Sequence, residues 1–206
     1  MPKIRFLYFD LGRVLINFDV DRMCRQMAEV SGVAPDAVYR VVFEDGIQHD
    51  YEVGRISTAE FYDRYCKALD CRPPQDRLIE AAADIFWPNL DTLPILAGLL
   101  AARAPLGILS NTCHIHWEHC RRRFSILDGG YRAFVLSYQA RASKPDPKIF
   151  ATAIEQAGVS PDEIFFVDDL PQHVEGATRA GLTAVQYTDA GRLARDLHNL
   201  GVCFNY

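Results

Sequence analysis

The chain has 206 residues, 49% of them apolar and 24% charged, with a net charge of −5, which is enough length for one buried core, or for one core and a small satellite. An acidic chain without a run of like charges has no electrostatic footprint for nucleic acid or anionic lipid, so neither is expected as a partner. No apolar stretch reaches the roughly 18 residues that span a bilayer, and Met-Pro-Lys-Ile-Arg leads into a strand rather than a signal sequence, so a cytoplasmic protein with no membrane contact is expected.

In chain order, residues 4–10 (IRFLYFD) read as a buried strand that carries an acid at its tip. Residues 17–91 show no strand pattern and are too long for an ordinary crossover, so they are expected to form an inserted helical module. Within it, Asp19 caps a helix through Val20, Met23, Cys24 and Met27. Val38, Val41 and Val42 suggest a second helix, and Ser57 with Glu60 forms a capping box before Phe61, Tyr65 and Leu69. Leu78, Ile79, Ala82, Ile85 and Phe86 share another helical face. Further strands are expected at residues 105–110, 133–137, 164–168 and 183–187. They are separated by helices, among them residues 146–157, with Pro147 in the first turn and Gly158 past the end, and residues 171–180, stopped by Gly181. Alternating strands and helices give an α/β fold, a Rossmann-like parallel sheet flanked by helices. Residues 1–16 and 92–206 form this core domain, and residues 17–91 form a small helical domain inserted into it.

The six cysteines, Cys24, Cys66, Cys71, Cys113, Cys120 and Cys203, form no CxxC pair and are read as free thiols. Cys113, His116 and Cys120 share a helix face, but without a fourth ligand they are read as part of an ordinary helix.

Ligands of open parallel sheets bind at the carboxyl ends of the strands. There the sequence places Asp10, then Ser110 and Asn111, then Asp168 and Asp169, with Lys144 in the loop after the third strand. Converging carboxylates repel one another unless a hard divalent cation such as Mg2+ takes up their oxygens. With that charge neutralised, Asp10 can attack phosphorus while the Ser110 hydroxyl, backbone N–H groups and Lys144 hold the phosphoryl oxygens, which is phosphoryl transfer through an aspartyl phosphate.

Four segments, FDLGRVL at 9–15, LSNT at 109–112, SKPDPKIF at 143–150 and VDDLPQHVEGATRAG at 167–181, resemble in order the four motifs of the haloacid dehalogenase superfamily. The resemblance covers nearly the whole chain. It implies Asp10 as nucleophile and metal ligand, the Gly12 carbonyl and Asp169 as further metal ligands, and Asp168 as an alternative ligand or a support behind them. It also implies Ser110 and Asn111 as the phosphate-binding loop, and Lys144 as the lysine that balances nucleophile and phosphate. The long gap between the first two motifs is similar to the helical-cap subclass, whose insert closes over the site and selects the substrate.

Family phosphatases usually carry a second aspartate, a general acid–base, two residues after the nucleophile, where this chain has Gly12. Loss of such a group typically costs about 10² to 10⁴ in rate. The favoured reading is a Mg2+-dependent phosphatase acting on a small phosphorylated metabolite whose leaving group needs little protonation. The motif forms are similar to those of alpha-D-glucose-1-phosphate phosphatases of the superfamily. A 2-haloacid dehalogenase and a non-catalytic phosphate-ligand or partner-binding member remain as alternatives. His173 stands where relatives have Asn or Asp, and is read as a helix-start residue bonding to the loop or as a proton shuttle. Arg13 faces either the phosphate or solvent. His49, Tyr51 and Glu52 are candidates to reach the substrate, whereas Phe61, Tyr65 and Phe86 are read as core of the insert. The identity of the substrate and the oligomeric state are not legible at this level.

Overall fold

The computed structural model describes residues 3–205, so Met1 and Pro2 of the expected lead into the first strand, and Tyr206, lie outside the described residues. All five expected strands form: Phe6–Phe9 (β1), Leu106–Ser110 (β4), Tyr131–Leu136 (β5), Ile164–Asp168 (β6) and Thr183–Gln186 (β7). They make one parallel sheet in the order β5-β4-β1-β6-β7. The chain builds outward from β1 in one direction and then returns to its other side. The carboxyl ends of β1, β4 and β6 therefore lie side by side at the point where strand order reverses.

β1 can be central because both of its faces are apolar. Leu7 and Phe9 pack with Ile95 and Leu99 of helix Leu93–Ala101 (α6) and with Leu193 and Leu197 of helix Ala190–Asn199 (α11). Phe6 and Tyr8 point the opposite way, towards Ile149 and Phe150 of helix Pro147–Ala157 (α9) and Ala177 of helix Pro171–Arg179 (α10). Each such side chain, fully buried, contributes roughly 1.5–3 kcal/mol. The Tyr8 hydroxyl keeps a partner by donating to the Ala153 carbonyl at 2.9 Å, so it is not stranded in the core.

The region between the first two sheet strands is helical, with one correction. The expected strand-free stretch at residues 17–91 has strand at both connections: Ile16–Phe18 (β2) pairs antiparallel with Phe86–Pro88 (β3). Three residues are too few to show an alternation, and the partner lies about seventy residues away in sequence, so no local pattern marks this ribbon. The helices are Val20–Ser31 (α1), Pro35–Tyr39 (α2) running into a π-helical turn at Arg40–Glu44, Ile47–Glu52 (α3), Thr58–Leu69 (α4) and Gln75–Ala83 (α5). The caps at Asp19 and at Ser57 with Glu60 form as expected. The face expected through Ile85 and Phe86 breaks at Asp84, so these two residues leave the helix and Phe86 joins β3. Phe61 and Tyr65 are buried with Met27, Val42 and Leu78 in a second core.

Helix His114–Arg123 (α7) ties the two cores together. Trp117 and Cys120 belong to the sheet core, Cys113 and Ile115 to the helical one. His116, buried between them, has its Nε2 3.1 Å from the Ala82 carbonyl of α5. Cys113, His116 and Cys120 thus serve as packing residues, and burial pushes His116 down to about 4. A histidine depressed below its ordinary value near 6.5 favours the fold fully above that pH, and the stabilisation is lost as pH falls towards 4, on the order of 3 kcal/mol across the window. Urea unfolding at pH 7 and pH 4.5 should therefore show a smaller acid loss for His116→Gln than for the unsubstituted protein.

Candidate active site

Three strand ends and one loop converge on a single ammonium group. Lys144, 3% exposed, places its Nζ 2.8 Å from Asp10 Oδ1, 2.5 Å from Asp168 Oδ2 and 2.9 Å from the Leu109 carbonyl. The loop that carries it is held by Asn111, whose Oδ1 accepts from the Lys144 N–H at 2.8 Å and whose Nδ2 donates to the Lys144 carbonyl at 3.0 Å. Asn111 is therefore a clamp on Lys144. Its side chain is committed at both ends, and what it can offer an anion is its backbone N–H.

Asp168 is wholly buried and fully partnered. Lys144 holds one oxygen, the Leu170 N–H donates to Oδ1 at 2.9 Å, and His173 Nδ1 lies 3.0 and 3.1 Å from the two oxygens. Burial opposes the charge of Asp168, but Lys144 and His173 outweigh it and hold the carboxylate at about 2. Burial likewise opposes the Lys144 charge, and Asp10 with Asp168 more than offsets it, so the ammonium stays above its ordinary value. His173 bonds to Asp168 through Nδ1, so its ring lies against the end of β6.

Asp10 and Asp169 are under the opposite pressure. Burial, with the Asp168 charge adding to it, raises Asp10 to about 6 against the pull of Lys144. Burial and Asp168 raise Asp169 also. Asp10, Asp168 and Asp169 each bring one carboxylate oxygen within 4.8 Å of the others, and among the described residues this is the only such group of His, Cys, Asp or Glu. Hard oxygen donors destabilised by each other's charge are the donor set that suits a divalent cation, so the residues present fit Mg2+. The Gly12 carbonyl accepts from the Val14 N–H at 2.6 Å and retains a second lone pair.

The two oxygens of Asp10 differ. Oδ1 accepts from Lys144 and from the Leu11 N–H at 2.7 Å, whereas Oδ2 has no hydrogen bond among the described residues and lies on the side of Gly12. Ser110, buried at the tip of β4, has only a 3.4 Å contact to the Asn111 carbonyl, so its hydroxyl is available. A cavity of about 110 Å³ opens above this floor, bounded below by Gly12, Ser110 and Asn111 and from the insert by Phe18, Gln48 and Glu52.

The sequence pattern of haloacid dehalogenase-like hydrolases matches residues 48–181, two thirds of the chain. The chain belongs to that family. It is 25% identical to a glyceraldehyde 3-phosphate phosphatase of Methanopyrus kandleri, over 83% of this chain and 82% of that protein. It is 26% identical to a D-ribitol-5-phosphate phosphatase of Bacteroides thetaiotaomicron, over 89% and 91%. Among solved structures, a haloacid dehalogenase family enzyme of Bacteroides thetaiotaomicron, in complex with magnesium and inorganic phosphate, superposes with a TM-score of 0.81 at 27% identity, covering 90% of this chain and 95% of its own. Within the described residues no helix is long and apolar enough to cross a membrane.

All the residues singled out from the four hydrolase motifs meet at this site, while the candidates of the insert divide. Tyr51 is buried and bonds to Thr58 Oγ1 at 2.6 Å, His49 is exposed, and Glu52 reaches the cavity. Arg13 is exposed, with its guanidinium 4.6 Å from the centre of the Phe18 ring. Sequence reasoning missed Ser137. Its hydroxyl donates to the Glu52 carbonyl at 2.6 Å and accepts from the Thr112 N–H at 2.9 Å, joining the insert to the segment that follows β4. The signal was present, since Ser137 is the polar residue directly after β5.

Removing one partner from a buried ion cluster leaves uncompensated charge and typically costs about 3–5 kcal/mol. Lys144→Met should lose that much in urea unfolding with EDTA present, and Lys144→Met combined with Asp168→Asn should lose less than the single substitution.

Proposed function

We propose that the protein is a Mg2+-dependent phosphatase that hydrolyses a small phosphate monoester through a phosphoryl group carried on Asp10. The observation that carries this reading is the asymmetry of Asp10: one oxygen is pinned by Lys144 and the Leu11 N–H, and the other has no hydrogen bond among the described residues and lies beside Gly12, which lines the cavity. Such an oxygen is fixed in place without being blocked, as an attacking group requires.

In this reading Mg2+ is held by Asp10, Asp169 and the Gly12 carbonyl, and supplies the positive charge that lets a phosphate dianion approach a carboxylate. Lys144 keeps Asp10 ionised and oriented and faces the phosphoryl oxygens. The Ser110 hydroxyl and the Asn111 N–H hold those oxygens as negative charge shifts onto them. Asp168 and His173 act behind this layer: they fix Lys144 and the turn that presents Asp169. Residues 17–91 serve as a cap that excludes water and shapes the leaving-group side, over a core of residues 1–16 and 92–206.

The substrate class follows from size and kinship. A cavity of about 110 Å³ suits a small phosphorylated metabolite, and the relatives named above act on three- and five-carbon phosphates. We therefore place the substrate among sugar phosphates or esters of similar size. The magnesium and phosphate bound by the Bacteroides thetaiotaomicron enzyme support the same cofactor and product here.

A phosphate-release screen over small sugar, polyol and acyl phosphates should give turnover with Mg2+, none with EDTA, and none with Asp10→Asn. Metal-independent chloride release from 2-chloropropionate, with no phosphate release from any ester, would replace this reading with dehalogenation.

A further inference from the structure

At position 12 the chain lacks the acid that protonates a leaving alkoxide, and the ring of Phe18 crowds the space where such a side chain would start. A Cβ on Gly12 would stand 3.1 Å from Cε1 of Phe18, so the ring of Phe18 lies over the glycine where a longer side chain would start. The proton must come from elsewhere on the cavity wall.

Few groups qualify. Gln48 and Asn111 are amides, and the Ser110 hydroxyl belongs to the phosphate end. His116 is neutral near pH 7, because burial depresses it to about 4 and its Nε2 is engaged with Ala82. Glu52 is the one carboxylic acid that lines the cavity.

Its surroundings suit an acid. The Gln48 amide donates to Glu52 Oε1 at 2.9 Å, and Oε2 has no hydrogen bond among the described residues, so it is available to carry a proton. The nearby walls are apolar, with Phe18, Phe43 and Phe86 among them. Burial raises Glu52 above the usual carboxylate range, while Gln48 and His49 moderate the shift, so the protonated form is favoured more than in water. Cys113, the other titratable group facing it, is pushed up by burial and by Glu52 itself and stays a neutral thiol.

Glu52 is also held in register with the phosphate loop. Ser137 bonds to the Glu52 carbonyl and to the Thr112 N–H with one hydroxyl. Two residues on, Gly54 has φ +66° and lies so close to the Tyr138 carbonyl that any Cβ would collide with it. The end of α3 is thereby fastened to the core two residues from Ser110.

We propose that Glu52, on the cap, donates the proton to the leaving oxygen that no residue at position 12 supplies. Asp10 Oδ2 forms a bond to phosphorus as the bond from phosphorus to the ester oxygen breaks. That oxygen takes both electrons of its bond and the proton of Glu52, departing as an alcohol. The Glu52 carboxylate then takes a proton from the water that attacks the phosphoryl-aspartate, which releases phosphate and restores both acids. The proposal rests on the phosphatase reading above and adds to it the source of the proton.

The test compares two esters of nearly equal shape: para-nitrobenzyl phosphate, whose alkoxide needs a proton, and para-nitrophenyl phosphate, whose phenolate does not. Leaving-group release is followed in single turnovers with Mg2+ for the unsubstituted protein and Glu52→Gln. Glu52→Gln should slow release from the benzyl ester by about 10² to 10⁴-fold and from the phenyl ester by less than tenfold. Equal losses on both esters, or no loss on either, would overturn the proposal. Equal losses would assign Glu52 to shaping the site. If the unsubstituted protein releases neither leaving group, nor phosphate in the wider screen, it is the phosphatase reading itself that fails.

Discussion

A single buried ammonium group organises this protein's chemistry. Lys144 sits between Asp10 and Asp168 with almost no exposure to water, and its charge favours the ionised form of both carboxylates. The cost of burying these ions is several kcal/mol each, recovered only where geometry and extra hydrogen bonds are good. Much of the local structure serves that end: Asn111 grips the Lys144 backbone, Leu109 offers its carbonyl, and His173 with the Leu170 N–H completes Asp168. The result is an Asp10 held at one oxygen and open at the other.

The sheet explains why these groups meet. β1, β4 and β6 are adjacent although Asp10, Ser110 and Asp168 are far apart in sequence, because the chain returns to the opposite side of β1 after β5. The continuous burial of β1 on both faces fixes it at the centre, and its carboxyl end therefore becomes the centre of the site. Stability and function here share a cause: the apolar run that makes β1 a core strand also delivers Asp10 to the crevice.

Much of this was legible in the residues. β1, β4 and β6 were readable as strands because a doubly covered parallel strand needs an unbroken apolar run, and all three are buried along their whole length. Asp10, Ser110, Asn111, Lys144, Asp168 and Asp169 could be singled out by their place at strand ends or in the adjoining loop. What escaped was nonlocal. The ribbon of β2 with β3 joins residues at the two ends of the insert, and the Ser137 bridge joins β5 to the cap; neither leaves a periodic trace. The cover of Phe18 over Gly12 was equally hidden, since the five residues between them turn back through a bend whose path no propensity specifies. The missing acid at position 12 was visible from sequence, but the Phe18 ring that crowds that position was not.

Gly12 and Phe18 line the cavity, and the insert adds a polar pair, Gln48 and Glu52. In the proposed reaction the core supplies the attacking group and the charges for the phosphate, and the insert meets the departing group. All of this depends on Asp10 being the atom donor that phosphorus visits. The most direct measurement is mass spectrometry of the protein acid-quenched during turnover of a phosphate ester with Mg2+, followed by peptide mapping. A phosphoryl group on the peptide containing Asp10, absent in Asp10→Asn, is the expected result. Turnover with no phosphoryl group on that peptide, or with one on another residue, would contradict the assignment of Asp10 as the nucleophile.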